Sequence, residues 1–322
     1  MVFATLASGI ATAAACDHDG LSYREGDAMP PTSVQPSLMH MSAPDHGPTI
    51  VDILDERQRR AYEQALSRER GLILAVGPTN SGKAALLYHG MRMLRRLRGA
   101  HVPMATIEWV ARDRLDDAMR VVVSSKDGVT FDSALKRLAD DGTKAFLVGE
   151  IPDYATAMEA VRLTTQRRRL ILSTVHTLDA PHALQRLRSI GVPVDGIGES
   201  VVLVFALRAV RKLCPECREP LHLPPHSLEV AGYSDDDIAE GVTLWRPNRD
   251  GCVYCTNGFR GRRFVCQMLP MTDGIRGALV DADIHAIRRT AMAEGMRSLR
   301  KELLDAARAG DVWIADVDDD VP

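Results

Sequence analysis

Apolar and polar positions follow no period until Val51, and from there the chain becomes regular. Residues 17–48 mix Pro, Ser, Asp, Gly and Met and read as a linker or poorly ordered arm. "DERQRRAYEQALSRER" (55–70) spaces its apolar residues as a short amphipathic helix does. "GLILAV" (71–76) is a continuous apolar run ending at a glycine loop, the pattern of a strand buried on both faces. "KAALLYHGMRMLRRLR" continues as a helix that starts inside that loop. "VPMATIEWV" (102–110), "MRVVVSS" (119–125), "KAFLVGEI" (144–151) and "RLILSTVHT" (169–177) predict further strands. "TFDSALKRLADD" (130–141) predicts a helix with Thr130 as a cap, and "DAPHALQRLRSIG" (179–191) one with Pro181 in its first turn and Gly191 at its end. "DIHAIRRTAMAEGMRSLRKELLDAARAG" predicts C-terminal helices broken near Gly295.

Strands alternating with helices at this spacing predict an α/β fold with a parallel sheet, whose ligands sit beyond the carboxyl ends of the strands. "GPTNSGK", "GEI" and "STVHT" all fall at such ends. Four regions follow: an arm over 1–49, a P-loop nucleotide-binding core over 50–213, a cysteine-bearing module over 214–271, and a helical segment with an acidic tail over 272–322.

Composition narrows the class. Hydrophobic residues at 45% and charged residues at 26% of 322 are globular values. Aromatics are only 5%, so the core rests on Val, Leu, Ile, Ala and Met. A net charge of −3 argues against a general polyanion binder, and no nucleic acid is expected as a partner. The basic runs "RRLR" (95–98) and "RRR" (167–169) read as solvated helix faces. No apolar stretch is long enough to cross a bilayer. The opening "MVFATLASGIATAAAC" has the small apolar look of a leader but carries no Lys or Arg before it, which argues against secretion.

The loudest chemistry is the glycine loop. A phosphate-cradling P-loop reads G-x-x-x-x-G-K-[ST], and Gly77, Pro78, Thr79, Asn80, Ser81, Gly82 and Lys83 fill it up to the last place, where Ala84 stands. Inward-turned backbone N–H groups, the helix N-terminus and the Lys83 ammonium suit the phosphates of ATP or ADP without any hydroxyl at 84. Magnesium differs. It takes oxygen ligands, a P-loop Ser or Thr holds it in such sites, and a methyl group supplies none. Binding of nucleotide is expected to survive, with the metal held less firmly and turnover hurt more than affinity.

Several motifs in order resemble the type II secretion and type IV pilus assembly ATPases over about residues 50–315: "GLILAVGPTNSGKAALLY", "TIEW", "GVTFDSALKRLADD", "LVGEI", "LSTVHTLDAP", the paired "CPEC" and "CVYC", "NGFRGR" and "GMRSLR". The resemblance implies a RecA-like P-loop core in a hexameric traffic motor on the cytoplasmic face of the inner membrane. It implies that Glu108 orients or deprotonates the attacking water, that Glu150 holds metal through water, and that His176 senses the state of the nucleotide. The plainer role for such polar residues is to cap strand ends and turns.

The departures are several. Trp109 replaces Asp in the "T-I-E-D-P-x-E" box and Arg112 its second Glu; "ADDGTK" (139–144) replaces "L-R-Q-D-P-D"; Pro152 replaces Arg after "G-E-I"; Arg169 replaces the His of "T-G-H". About fifty residues precede the core, fewer than the resembling family's N-terminal domain needs.

Of six cysteines, Cys214, Cys217, Cys252 and Cys255 form two C-x-x-C pairs around a long insert. Four thiolates suit a closed tetrahedral zinc site; a metal-free knuckle or a reactive dithiol are the alternatives. The resembling family carries the same long-spaced module. Cys266 sits in an apolar run and reads as a small core residue, and Cys16 has no partner pattern.

Two functions follow from the residues and the resemblance. The expectation favoured by the departures is an accessory or scaffold subunit that binds nucleotide and zinc, hydrolyses weakly or not at all, and joins a homo- or hetero-oligomeric ring on inner-membrane platform proteins. The alternative is an active ATPase that drives pilus assembly or type II secretion.

Overall fold

The computed structural model describes residues 53–317, apart from 100, 111, 112, 114, 125, 281 and 282. The expected arm over 1–49, Cys16, Arg112 and the end of the acidic tail lie outside the described residues.

Helix α1 (Glu56–Leu66) starts where the capping chemistry dictates. The Asp55 carboxylate accepts from the Gln58 N–H while the Gln58 side chain accepts from the Asp55 N–H, which satisfies two donors that no helical carbonyl can reach. Strand β1 (Gly71–Val76) is buried along its whole length and runs through the loop into α2 (Lys83–Arg98). Strands β2 (Met104–Glu108) and β3 (Ala118–Val122) precede α3 (Phe131–Asp140), which Thr130 caps as its position in the sequence predicts. Strand β4 (Ala145–Val148), α4 (Tyr154–Thr165), β5 (Leu170–Val175), α5 (Ala180–Ser189), α6 (Val194–Ser200) and β6 (Val201–Leu213) follow. The insert holds β7 (Glu219–Leu221), α7 (Pro225–Ala231), α8 (Asp235–Glu240) and β8 (Leu244–Arg246). The chain then returns as β9 (Phe259–Pro270) and ends in α9 (Asp273–Val280), α10 (Ile284–Ala293) and α11 (Leu299–Arg308).

Seven strands form one sheet in the order β3-β2-β4-β5-β1-β6-β9. Six run parallel and β9 returns antiparallel along β6, so the sheet is mostly parallel. Alternation along β1 divides the core. Leu72, Leu74 and Val76 pack with α3, α4, α5 and the C-terminal helices, whereas Ile73 and Ala75 pack with α1 and α2. Burial on both faces is why β1, β4 and β5 read as unbroken apolar runs in the sequence.

Helix α4 carries little amphipathic signal because its buried positions include Thr156, Ala157, Ala160 and Thr164; it is fixed by Asp153, whose carboxylate accepts from the Thr156 N–H at 2.8 Å. The insert builds its own small core, in which Leu228, Tyr233 and Leu244 pack on Leu304 and Ala307 of α11. The Tyr233 hydroxyl closes it by donating to the Leu304 carbonyl at 2.9 Å.

The contact between α1 and α2 depends on a missing side chain. Tyr62 is fully buried, sets its ring edge-on to Phe205 and donates its hydroxyl to the Leu86 carbonyl at 3.1 Å. A Cβ on Gly90 would stand 1.9 Å from that hydroxyl oxygen. Gly90→Ala gains about 1 kcal/mol of helix propensity but overfills the contact at a typical cost of 1–3 kcal/mol. A net loss of stability is expected in urea unfolding, and a variant as stable as the parent would show that the helices separate without strain.

Candidate functional site

Four elements deliver the expected residues to one place. The carboxyl ends of β2, β4, β5 and β1 stand side by side in the sheet and carry, in that order, Glu108, Glu150, His176 and the loop from Gly77 to Ala84. Residues 79–84 of that loop and Glu108, Glu150 and His176, with Tyr88, Trp109, Thr174, Arg262 and Phe264, line an open cleft of about 490 Å³, within the usual size of a small-ligand site.

The loop is held as a cradle. Gly77 lies so close to β6 that a Cβ would meet the Leu207 carbonyl oxygen at 2.3 Å, and its φ of 133° suits glycine alone. Gly82 caps α2 with no side-chain hydrogen bond, so the first N–H groups of a 16-residue helix face the cleft and favour an anion. Pro78, Thr79 and Asn80 are exposed and Ser81 is buried. The Lys83 ammonium donates to the carbonyls of Gly77 (2.7 Å) and Pro78 (2.6 Å), which fixes the positive charge inside the loop. Ser81 Oγ is buried without a protein partner, an orphan hydroxyl in the wall of the cradle.

The two carboxylates occupy different settings. Glu108 is buried, and Oε2 accepts from the Tyr88 hydroxyl at 2.5 Å. Burial, and then this bond to a carboxylate, push the Tyr88 phenol well above its ordinary range, so it remains a donor at any working pH. Glu150 is a quarter exposed, with Oε1 2.7 Å from the Trp109 indole nitrogen and Oε2 3.5 Å from His176 Nε2. The Thr174 hydroxyl donates to the Gly149 carbonyl at 2.6 Å and ties the Glu150 turn to β5.

An ammonium and a helix N-terminus on one wall, with two carboxylates and an imidazole on the other, can bind a polyphosphate and orient a water toward its end. The side chain at position 84 has no oxygen, and one Glu150 oxygen accepts from the Trp109 indole.

Two departures noted in the sequence fall elsewhere. Residues 139–144 precede β4 and Arg169 precedes β5, so both stand at the amino ends of the strands, the edge of the sheet opposite the cleft. Arg169 there bonds the carbonyls of Arg167 and Ala139, and burial lowers its pKa. Neither can have removed a group from the site. Conversely, Arg262 of β9 enters the cleft and donates to the Asn80 carbonyl at 3.2 Å. The motif "NGFRGR" by itself assigns this arginine no role. Its basic charge was the available signal, but only the β6–β9 pairing brings it across.

The four cysteines converge although a long insert parts them. All four Sγ atoms lie within 4.8 Å of one another, with Cys214–Cys252 at 3.8 Å and Cys217–Cys255 and Cys252–Cys255 at 3.6 Å. Zn–S bonds of about 2.3 Å in a tetrahedron set the sulfurs about 3.8 Å apart. The cluster thus suits zinc with a closed shell, a structural rather than a catalytic metal. Burial opposes ionisation of Cys255, yet the Cys252 N–H and the neighbouring thiols lower it, while burial and the same shared contacts raise Cys217 and Cys252. The cluster as a whole would lose its protons to a bound cation. Cys266, buried in β9, takes no part.

Comparison with known proteins agrees with this geometry. The family described as "Type II/IV secretion system protein" matches residues 52–319, and the chain belongs to it. It is 33% identical over 258 residues to the type IV pilus assembly ATPase PilB of Acinetobacter baylyi, covering 80% of this chain and 44% of that protein. It is 32% identical over 256 residues to the type II secretion system protein E of Dickeya dadantii, covering 79% and 49%. The chain thus spans about half the length of the curated relatives it matches. Among solved structures, the Legionella pneumophila ATPase DotB superposes with a TM-score of 0.60 at 14% identity, covering 84% of this chain and 64% of that one. The pilus retraction motor PilT with bound ADP gives 0.57 at 16%, covering 86% and 67%. Both likenesses are of fold; this chain has a RecA-like secretion ATPase fold, a four-cysteine cluster and C-terminal helices.

Metal analysis of purified protein is expected to find about one zinc per chain. Cys255→Ser should lose that zinc and lower Tm by roughly 5 °C or more, since each kcal/mol is worth about 2–4 °C in a chain of this size. Protein free of stoichiometric zinc with an unchanged Tm would refute the assignment.

Proposed function

We propose that this chain is an ATP-binding and ATP-hydrolysing subunit of a pilus-assembly or type II secretion machine. It works at the cytoplasmic face of the inner membrane, in a ring of like or related subunits docked on membrane platform proteins. The observation that carries this reading is the convergence of Lys83, Glu108, Glu150 and His176 on one cleft at the carboxyl edge of the sheet. The relatives named as pilus assembly ATPases support it, and no helix among the described residues is long and apolar enough to cross a membrane.

In this reading the loop amides and Lys83 hold the phosphates of ATP. Glu108, steadied by Tyr88, orients the attacking water, and His176 beside Glu150 registers whether the terminal phosphate is present. Magnesium, when bound, shields phosphate charge; with Ala84 in place of a hydroxyl its hold is weak and turnover slow.

The sequence-based expectation of an accessory subunit with little or no hydrolysis is the second reading. It loses the support of Arg169 and of residues 139–144, which lie far from the cleft, and retains that of Ala84 and Trp109.

Phosphate release from Mg-ATP separates the two. The unaltered protein is expected to turn over slowly, Lys83→Ala to abolish release, and Ala84→Ser to raise it by about tenfold, equivalent to roughly 1.4 kcal/mol in the barrier. Nucleotide binding without phosphate release in the parent and in Ala84→Ser alike would establish the accessory role.

A further inference from the structure

The residue that most sets this cleft apart is Trp109. It is the first residue past the end of β2, and its ring stands edge-on against Phe131 at the start of α3, with centroids 5.2 Å apart and planes at 90°. Phe131 is buried, so the indole rests on a rigid wall although it remains half-exposed. From there its N–H reaches Glu150 Oε1 at 2.7 Å. An indole nitrogen is a donor only, and a bond from a donor to an ionised carboxylate is among the stronger ones. The other oxygen of Glu150 faces His176 Nε2 at 3.5 Å. Glu150 is therefore held at one oxygen by a side chain that only donates, while its other oxygen faces the imidazole.

We propose that Trp109 is a positioning residue that clamps Glu150 in a resting orientation, and that turnover requires the indole–carboxylate bond to open. The inference rests on the ATPase reading of the cleft. The logic is one of competing partners. To serve a water or a cation at the end of the polyphosphate, the Glu150 carboxylate must swing toward the loop, which lies beyond β5, and that movement draws Oε1 away from Trp109 on the β2 side. Charge arriving in the cleft shifts the competition. A cation accompanying the terminal phosphate draws the Glu150 carboxylate toward the loop and away from Trp109, against the repulsion of the phosphate itself. The loaded site thus biases the clamp toward opening, but the bond still holds in most bound complexes and its breaking is left to turnover, so it weighs on kcat rather than on Kd.

Trp109→Phe keeps a ring against Phe131 and deletes only the N–H. It is expected to leave the apparent Kd for ATP and ADP within about twofold and to raise kcat by about three- to tenfold, a split that loss of one resting-state bond produces and a general packing defect does not. Tryptophan emission gives a second readout that needs no turnover. ATP should change the emission of the parent, and the change should vanish in Trp109→Phe, where Trp245 and Trp313 remain, both of them in or beside the insert's small core. Glu150→Gln, which retains Trp109 but removes the charge that a cation attracts, should show a weakened emission response.

A folded Trp109→Phe with unchanged or lower kcat overturns the clamp, and so does an emission change that persists without Trp109. If the parent and Ala84→Ser release no phosphate, the ATPase reading has failed by itself. The clamp then stands only if Trp109→Phe releases phosphate, and falls if that variant releases none either.

Discussion

Strand β5 sits between β1 and β4 in two parallel ladders, and the cleft depends on that insertion. Its register pairs Val175 with Val76 and Ser173 with Val148, so the chain leaves β1, β5 and β4 at nearly the same height. Lys83, His176 and Glu150 can meet only because of this alignment. Side chains in a strand alternate between faces, so a slip of one residue in β5 would turn its whole buried set toward the wrong layer. The register is secured twice over. Leu170 and Leu172 belong to the layer under α1 and α2 and Ile171 and Val175 to the layer under α3 to α5, while the Thr174 hydroxyl and carbonyl stitch the β4 turn at Gly149 and Ile151. Chemistry is confined to the carboxyl edge because both faces of the sheet are covered.

That confinement explains how much of the site could be read from sequence. Strand ends are marked by the stop of an apolar run; the runs expected from sequence end at 76, 110, 151 and 177, within three residues of the strand ends at Val76, Glu108, Val148 and Val175, and that is close enough to place Lys83, Glu108, Glu150 and His176 on one edge. Sequence could not say at which end of its strand a substitution acts without a firm start for that strand. Arg169 and the residues before Ala145 were weighed as losses from the site, and they lie on the opposite edge. Helix α4 escaped notice because Ala and Thr make a weak stripe, and the place of β9 because an antiparallel return carries no local mark. The consequence of Trp109 was equally hidden: the substitution was plain, the bond from its indole to Glu150 was not.

The same geometry changes the weight of the departures at the loop. Loss of a hydroxyl at 84 removes a ligand for magnesium and leaves the anion site whole, since the amides at the start of α2 and the Lys83 ammonium do not depend on it. Trp109 acts on a different part, through the carboxylate on the neighbouring strand. The two substitutions therefore bear on separate steps, metal retention and release of Glu150, and need not be read as a shared decay of one function.

The cysteine cluster bears on the cleft through the same hairpin that supplies Arg262. Strands β6 and β9 run side by side from the centre of the sheet to the cysteines, where the Cys214 N–H donates to the Gly258 carbonyl at 2.8 Å. Between them the chain makes the long excursion of the insert, and joining two such distant knuckles removes more freedom from an unfolded chain than closing a tight turn does. Along β9, Arg262 touches the loop at Asn80, the Cys266 carbonyl accepts from Gln58 of α1, and Gln267 accepts from the Ala180 N–H at the start of α5. The C-terminal helices add Arg288, which pairs with the buried Asp179 carboxylate at 2.6 Å three residues beyond His176. A metal that fixes the far end of the hairpin thus fixes the height of β9, and with it one wall of the cleft. A structural zinc distant from the phosphate loop can govern the site by this route without contributing a ligand to it.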